Sequence, residues 1–143
     1  MDHIVYVDTK SQEMEQLLNG AKTMIVRSAS GRKIPYDRVA NGDRLFFARN
    51  NGEGLILASA LAKQVNQFGP VSRQLSLEIL KDHQVQLNLS EKQVNRWGGK
   101  RYLVLIEIDS LQEIQPFKFN RSAFNNMDDW LPVGNIEMVK VIQ

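Results

Sequence analysis

GAKTMIVR, residues 20–27, decides the fold, because in these eight residues a helix ends and a strand begins. Asn19-Gly20 is a helix stop, with Gly20 free to adopt the left-handed conformation that closes a last turn. The residues that follow suit an extended chain. Alternation puts Thr23, Ile25 and Arg27 on one face and Met24 and Val26 on the other. Cations bracket the strand, Lys22 before it and Arg27 at its end. That placement is either a solvated edge or one side of a small site for an anion.

Upstream, HIVYV (3–7) is a short β-rich run. Thr9 and Gln12 have the spacing of a capping box, and Met14, Leu17 and Leu18 recur at helical spacing toward a core. Downstream, Gly31, Pro35 and Asn41-Gly42 mark residues 28–43 as loop and turn. RLFFARNNGEGLILASALAKQV (44–65) reads as a hairpin about a two-residue Asn51-Gly52 turn, and Phe68-Gly69-Pro70 ends it. The middle is helical, with Leu75, Ile79, Leu80, His83 and Leu87 on one face. Ser90 and Gln93 form a second capping box, Leu89 and Val94 suit a hydrophobic staple, and Gly98-Gly99 breaks the short helix over 91–96. KRYLVLIEI (100–108) is the strongest strand and is apolar enough to be central. LQEIQPF (111–117) predicts another strand, limited by Pro116. NRSAFNNMDDWLP (120–132) is irregular, and NIEMVKVIQ (135–143) predicts a closing strand. The sum is one mostly β (α+β) domain over 1–143, a small barrel with an N-terminal helix and inserted helices.

A chain of 143 residues can bury one real core, and 43% hydrophobic with 24% charged residues is the globular range. No apolar run is long enough to span a membrane, and MDHIVYVDTK lacks the pattern of a signal peptide. With no cysteine there is neither a disulfide nor a thiolate metal site, which fits a cytoplasmic protein. Net charge is only +2, but Lys22 to Arg49 holds seven cations against Asp37 and Asp43. A local basic excess on a nearly neutral chain points to a patch facing an anion; solvated loop cations are the plainer reading.

Catalytic and metal-binding patterns are missing. Of the two histidines, His83 lies on an apolar helix face, where a satisfied core histidine is the simpler reading, and His3 is far away in sequence; no metal site or cofactor is expected. No nucleophile elbow occurs. NNGEG lacks the lysine and helix of a phosphate loop. The side chains of Asp128 and Asp129 diverge in an extended segment, so they are poor partners for acid–base work. Glu53 and Glu107 are acids that nothing in the sequence places in a cleft.

The remaining chemistry is cationic and aromatic, the combination that neutralises phosphates and stacks on bases. Arg32, Lys33 and Arg49 lie in loops near the 20–27 strand. RWGGKRY (96–102) gathers Arg96, Trp97, Lys100, Arg101 and Tyr102 around a glycine pair that lets a ligand approach the backbone. Trp97 is either a stacking platform or a core residue sealing its helix, whereas Trp130 is read as structural.

These elements in this order resemble an ASCH domain of the PUA-like superfamily, related to EVE domains. Its signature G-x-K-x-x-E-x-R is matched at Gly20, Lys22 and Arg27. Val39, Gly42, Asp43, Leu45 and Phe47 resemble the segment that follows, and KRYLVLIEI with LQEIQPF is similar to the family's closing strands. GRKIPYDR (31–38) fits the same signature, but Pro35 would interrupt its strand. The resemblance implies a PUA-like pseudo-β-barrel that binds RNA or a nucleotide-like ligand. Lys22, Thr23, Arg27, Arg32, Lys33 and Arg49 would then line one region, with Trp97, Lys100 and Arg101 in a second. The signature's glutamate, a position where nucleoside-amidohydrolase members carry a nucleophilic threonine, is Ile25 here. Isoleucine is neither base nor nucleophile, so the reading is binding without catalysis, with Ile25 as an apolar wall for a base. The alternatives are a superfamily enzyme, a ribonuclease or nucleoside amidohydrolase with Lys22 at the site, and a protein-interaction module.

Overall fold

One long strand organises the sheet. In the computed structural model, which describes residues 1–124 and 128–141, β5 (Tyr102–Lys118) pairs with β2 (Met24–Ala29) on one side and with β4 (Leu55–Phe68) on the other. The sheet continues through β3 (Arg44–Arg49) and β1 (Asp2–Val7) to β6 (Trp130–Gly134), in the order β2-β5-β4-β3-β1-β6. Only β1 and β3 run parallel. The six strands curl into a half-barrel of mostly β (α+β) character, as expected from the sequence. Irregular register between β4 and β5 at three points accompanies the curl, as bulges bend the strands that carry them.

Strand alternation divides the core. Ile25, Phe47, Ala60, Val104, Ile106 and Trp130 pack on one face with Met14 and Leu17 of α1 (Glu13–Leu18). Met24, Val26, Leu103 and Leu105 face the other way, against Ile79, Leu80, Leu87 and Leu89. Those last four come from α2 (Arg73–Asp82), α3 (Gln84–Leu87) and the turn before α4 (Glu91–Trp97). Ile4, Phe46, Ile56, Phe119 and Leu131 close the far end. The two faces of β2 are therefore the ones that alternation assigns. Among the described residues, no helix is long and apolar enough to cross a membrane.

Several expectations need correction. Thr9 does not cap α1: its hydroxyl donates to Asn50 Oδ1 (2.9 Å), and the helix starts at Glu13 after a left-handed Gln12. Leu18 and Leu75 are exposed rather than core-facing. The hairpin turn is longer than two residues, occupying 50–54, and β4 runs on to Phe68. LQEIQPF is no separate strand but the second half of β5, where Pro116 is accommodated. The last strand lies earlier than expected, at Trp130–Gly134, because that segment pairs with β1. Beyond it, Ile136–Met138 forms a turn of 3-10 helix, and Lys140 makes a single bridge to Phe119. Residues 125–127 of the segment read as irregular, and 142–143 of the expected closing strand, lie outside the described residues.

Candidate functional site

As an edge strand, β2 has a side that no strand covers, and a cleft of about 370 Å³ lies beside it. Arg27, Ser28, Ala29 and Ser30 form one wall. The loop after β2 adds Lys33 and Ile34, the end of α4 adds Arg96 and Trp97, and Lys100 follows. Asp128 and Asp129, just before β6, complete the lining. A smaller pocket of about 30 Å³ adjoins it, sharing Arg27, Arg96, Trp97 and Asp129 and reaching Tyr6 and Glu13.

Local sequence explains the position of Trp97. Ser90 Oγ accepts from the Gln93 N–H (3.2 Å) while Gln93 Oε1 accepts from the Ser90 N–H (3.0 Å), so the capping box fixes the start of α4. At its end, the Ser28 hydroxyl donates to the Trp97 carbonyl (2.6 Å), tying the helix to β2. Gly98 lets α4 press on α2, since a Cβ there would lie 2.6 Å from both Leu77 Cδ2 and the Val94 carbonyl oxygen. Trp97 is half-buried, with the guanidinium carbons of Arg96 and Arg27 over its ring at 4.4 and 5.1 Å from the centroid. Trp130 is fully buried, its Nε1–H donating to His3 Nδ1 (3.0 Å), the structural role expected of it. His83, half-buried, bonds the Ile79 carbonyl (2.7 Å).

Arg27 is both lining and fastener. It is 5% exposed, and it donates from Nη1 to the Val26 carbonyl (2.8 Å) and from Nη2 to the Tyr6 carbonyl (2.7 Å). Its Nε lies 3.3 Å from Asp129 Oδ2, an ion pair without hydrogen-bond alignment. The same carboxylate is 3.4 Å from Arg96 Nη2, and Asp128 lies 3.4 Å from Lys33 Nζ. Lys100 makes no ion pair among the described residues.

Lys22 is elsewhere. It is 1% exposed, its Nζ donates to the Leu87 carbonyl, and Glu13 Oε2 lies 3.6 Å away. Burial pushes its ammonium below the usual lysine range, opposed by the Glu13 charge. Gln93 Nε2 donates to that carboxylate (3.2 Å) and to Ser11 Oγ (3.1 Å), so the network clamps α4 to the segment around α1.

Of the residues singled out in the sequence, the fold brings Arg27, Lys33, Trp97 and Lys100 into one cleft, with Arg32 and Arg101 beside it in the chain. The two expected regions are thus one. Lys22, Thr23 and Arg49 do not line it: Lys22 is interior, Thr23 lies just before β2 with its N–H on the Gln86 carbonyl (2.9 Å), and Arg49 pairs with Glu15 (2.7 Å). Ile25 is 1% exposed in the core, so it is no wall of the cleft. Glu53 is an exposed turn residue, and Glu107 lies 3.7 Å from Lys63. Arg96, noted in the sequence only as part of RWGGKRY, lines the cleft, and Asp129, set aside there as a poor acid–base partner, pairs with both Arg27 and Arg96. Glu13 is the residue that sequence reasoning missed, since nothing local marks it as the partner of Lys22.

No family model matches the chain, and no curated protein matches it in sequence. Its three-dimensional arrangement does find counterparts. The ASCH protein of Zymomonas mobilis superposes with a TM-score of 0.69 at 15% identity, over 96% of this chain and 90% of that one. Two point mutants of that protein superpose equally well, with 93% and 91% of their chains covered. The chain has the ASCH fold. At this identity the likeness fixes architecture, and the chemistry of the cleft follows from the residues of this chain.

Proposed function

We propose that this ASCH-type domain binds RNA or a nucleotide-like ligand without transforming it. Trp97 stacks a base, and Lys33, Arg96 and Lys100 hold a phosphate. The observation that carries this is a half-buried indole, crossed by two guanidinium groups, in a cleft whose lining includes four cations. An aromatic face takes any base, and cations at its rim take the backbone. The enzyme alternative has less support. Ile25 supplies no proton-transfer group, and Lys22 is turned into the core away from the cleft.

The test is an anisotropy titration of labelled single-stranded RNA at several salt concentrations, with the RNA run afterwards on a denaturing gel. Intact RNA and an affinity that falls steeply with salt are expected. Trp97→Ala should lose about 5- to 150-fold in affinity, since stacking contributes about 1–3 kcal/mol per base. Absence of binding at low salt overturns the proposal. Shortened RNA that stays whole with Lys22→Ala would restore the nuclease reading.

A further inference from the structure

A second aromatic ring lies next to the lining of the cleft: Ala29, in its wall, is the strand partner of Tyr102. Two of its cations have basic neighbours in sequence, Lys33 next to Arg32 and Lys100 next to Arg101. Both neighbours lean over Tyr102, with guanidinium carbons 6.0 and 5.7 Å from its ring centroid. Those separations are at the outer reach of a cation–π contact, looser than the 4.4 Å of Arg96 over Trp97. Neither Arg32 nor Arg101 has a carboxylate partner among the described residues, whereas Arg27, Lys33 and Arg96 all do. Their charge is open to a ligand.

The Tyr102 ring is held in place. Tyr36 meets it edge-on at 5.3 Å between centroids and 82° between planes. Gly69 backs it so closely that a Cβ there would lie 2.3 Å from Tyr102 Cδ1. The ring is half-buried, not sealed. Both aromatic residues are anchored to adjacent positions of β2: Ser28 bonds the Trp97 carbonyl, and Ala29 is the strand partner of Tyr102. Consecutive Cα atoms are about 3.8 Å apart, so the two anchor points are neighbours on one strand.

We infer that Tyr102, with Arg32 and Arg101, is a second base-stacking platform next to Trp97, which makes the ligand a single-stranded oligonucleotide rather than a mononucleotide. The inference rests on the Trp97 cleft being a nucleotide site. One base stacks on Trp97, the linking phosphate lies among Lys33 and Lys100, and the next base stacks on Tyr102 below the two arginines.

The experiment compares uridine 5′-monophosphate with oligouridylates of two, three and six residues at low salt. A second series carries 2-aminopurine at one position, whose fluorescence falls on stacking. Affinity should rise at least tenfold from one nucleotide to three, and 2-aminopurine should be quenched at two neighbouring positions. The double variant Arg32→Ala/Arg101→Ala, altered only at exposed side chains, should keep the affinity for the monophosphate and lose the gain with length. Tyr102→Leu should lose the second quenching signal, while Tyr102→Phe keeps it. Monophosphate binding with no gain from length, or a gain that survives both the double variant and Tyr102→Leu, overturns the second platform and leaves the Trp97 site standing. If neither the monophosphate nor any oligouridylate binds, both readings fall. Loss of the gain in the double variant with quenching intact in Tyr102→Leu would mean phosphate contacts alone, and overturns the stacking role.

Discussion

Arg27 donates to the Val26 and Tyr6 carbonyls and lies against Asp129, so its charge is built into the fold before any ligand arrives. From the sequence, a charge reversal there would be read as a binding change alone. The structure makes it a stability change as well. Arg27→Glu leaves a buried carboxylate facing two carbonyls and Asp129, at a cost of about 3–5 kcal/mol. Thermal melting should show a fall of about 10 °C or more. Lys33→Ala and Lys100→Ala carry no such cost and should weaken RNA binding with the melting temperature unchanged, as Lys33 is exposed and Lys100 is free of ion pairs among the described residues. Arg27, Lys33, Trp97 and Lys100, which share the cleft, stood out in the sequence because cations and aromatics near glycines are visible as residue types. It could not separate them from Lys22, also a motif cation, since the Leu87 carbonyl and Glu13 that draw Lys22 inward are distant in the chain.

The two capping-box patterns show what decides an element. Ser90 and Gln93 form theirs, whereas Thr9 and Gln12 have equivalent spacing and do not, because Asn50 arrives from the β3–β4 turn and takes the Thr9 hydroxyl. A local signal is therefore reliable only where no tertiary partner competes for the same group. The strand β6 was unreadable for a related reason: WLPVG has little alternation, and it becomes a strand through β1. The helix α4 presents Trp97, so its end matters for the proposed binding. Gly98→Ala puts a methyl against a backbone carbonyl of the same helix. Its φ is ordinary, so the penalty is one of space. The variant should melt lower than the wild type and also bind RNA more weakly, because the displaced turn carries the indole. Unchanged melting would show that α2 and α4 can separate at no cost.

Across the whole molecule, one end of the sheet, where β6, β1 and β3 meet, is fixed by a buried polar chain. Trp130 donates to His3 Nδ1, which leaves the ring proton on Nε2 to be donated to Asp43 Oδ2 (2.8 Å). Burial lowers the His3 pKa, and Asp43 only partly opposes it. Folded protein therefore binds fewer protons than unfolded protein below about pH 6.5, the usual histidine value. Stability is full above that value and declines as pH falls through the window beneath it. Burial raises Asp43 and Asp2, but hydrogen bonds from His3 and the Ala40 N–H, and from Arg44 and the Ile136 N–H, more than reverse this. Both carboxylates end below their ordinary values and extend the loss into more acid solution. Urea midpoints from pH 8 to 5 should fall with pH, and His3→Gln should flatten that part of the curve; a flat wild-type curve would refute the assignment.

The acidic pair beside the cleft has one more consequence. Asp128 and Asp129 already occupy Lys33, Arg27 and Arg96, so an arriving phosphate trades partners instead of finding vacant ones. Tethered carboxylates compete at an effective concentration that dissolved anions rarely reach. Chloride or free phosphate offers only charge and gains little from the exchange, while a nucleotide also brings a base for Trp97. Under the proposed function the cleft acts as a threshold filter that ordinary salts do not cross, and Asp129→Asn should lower that threshold, letting inorganic phosphate compete with RNA where it does not in the wild type.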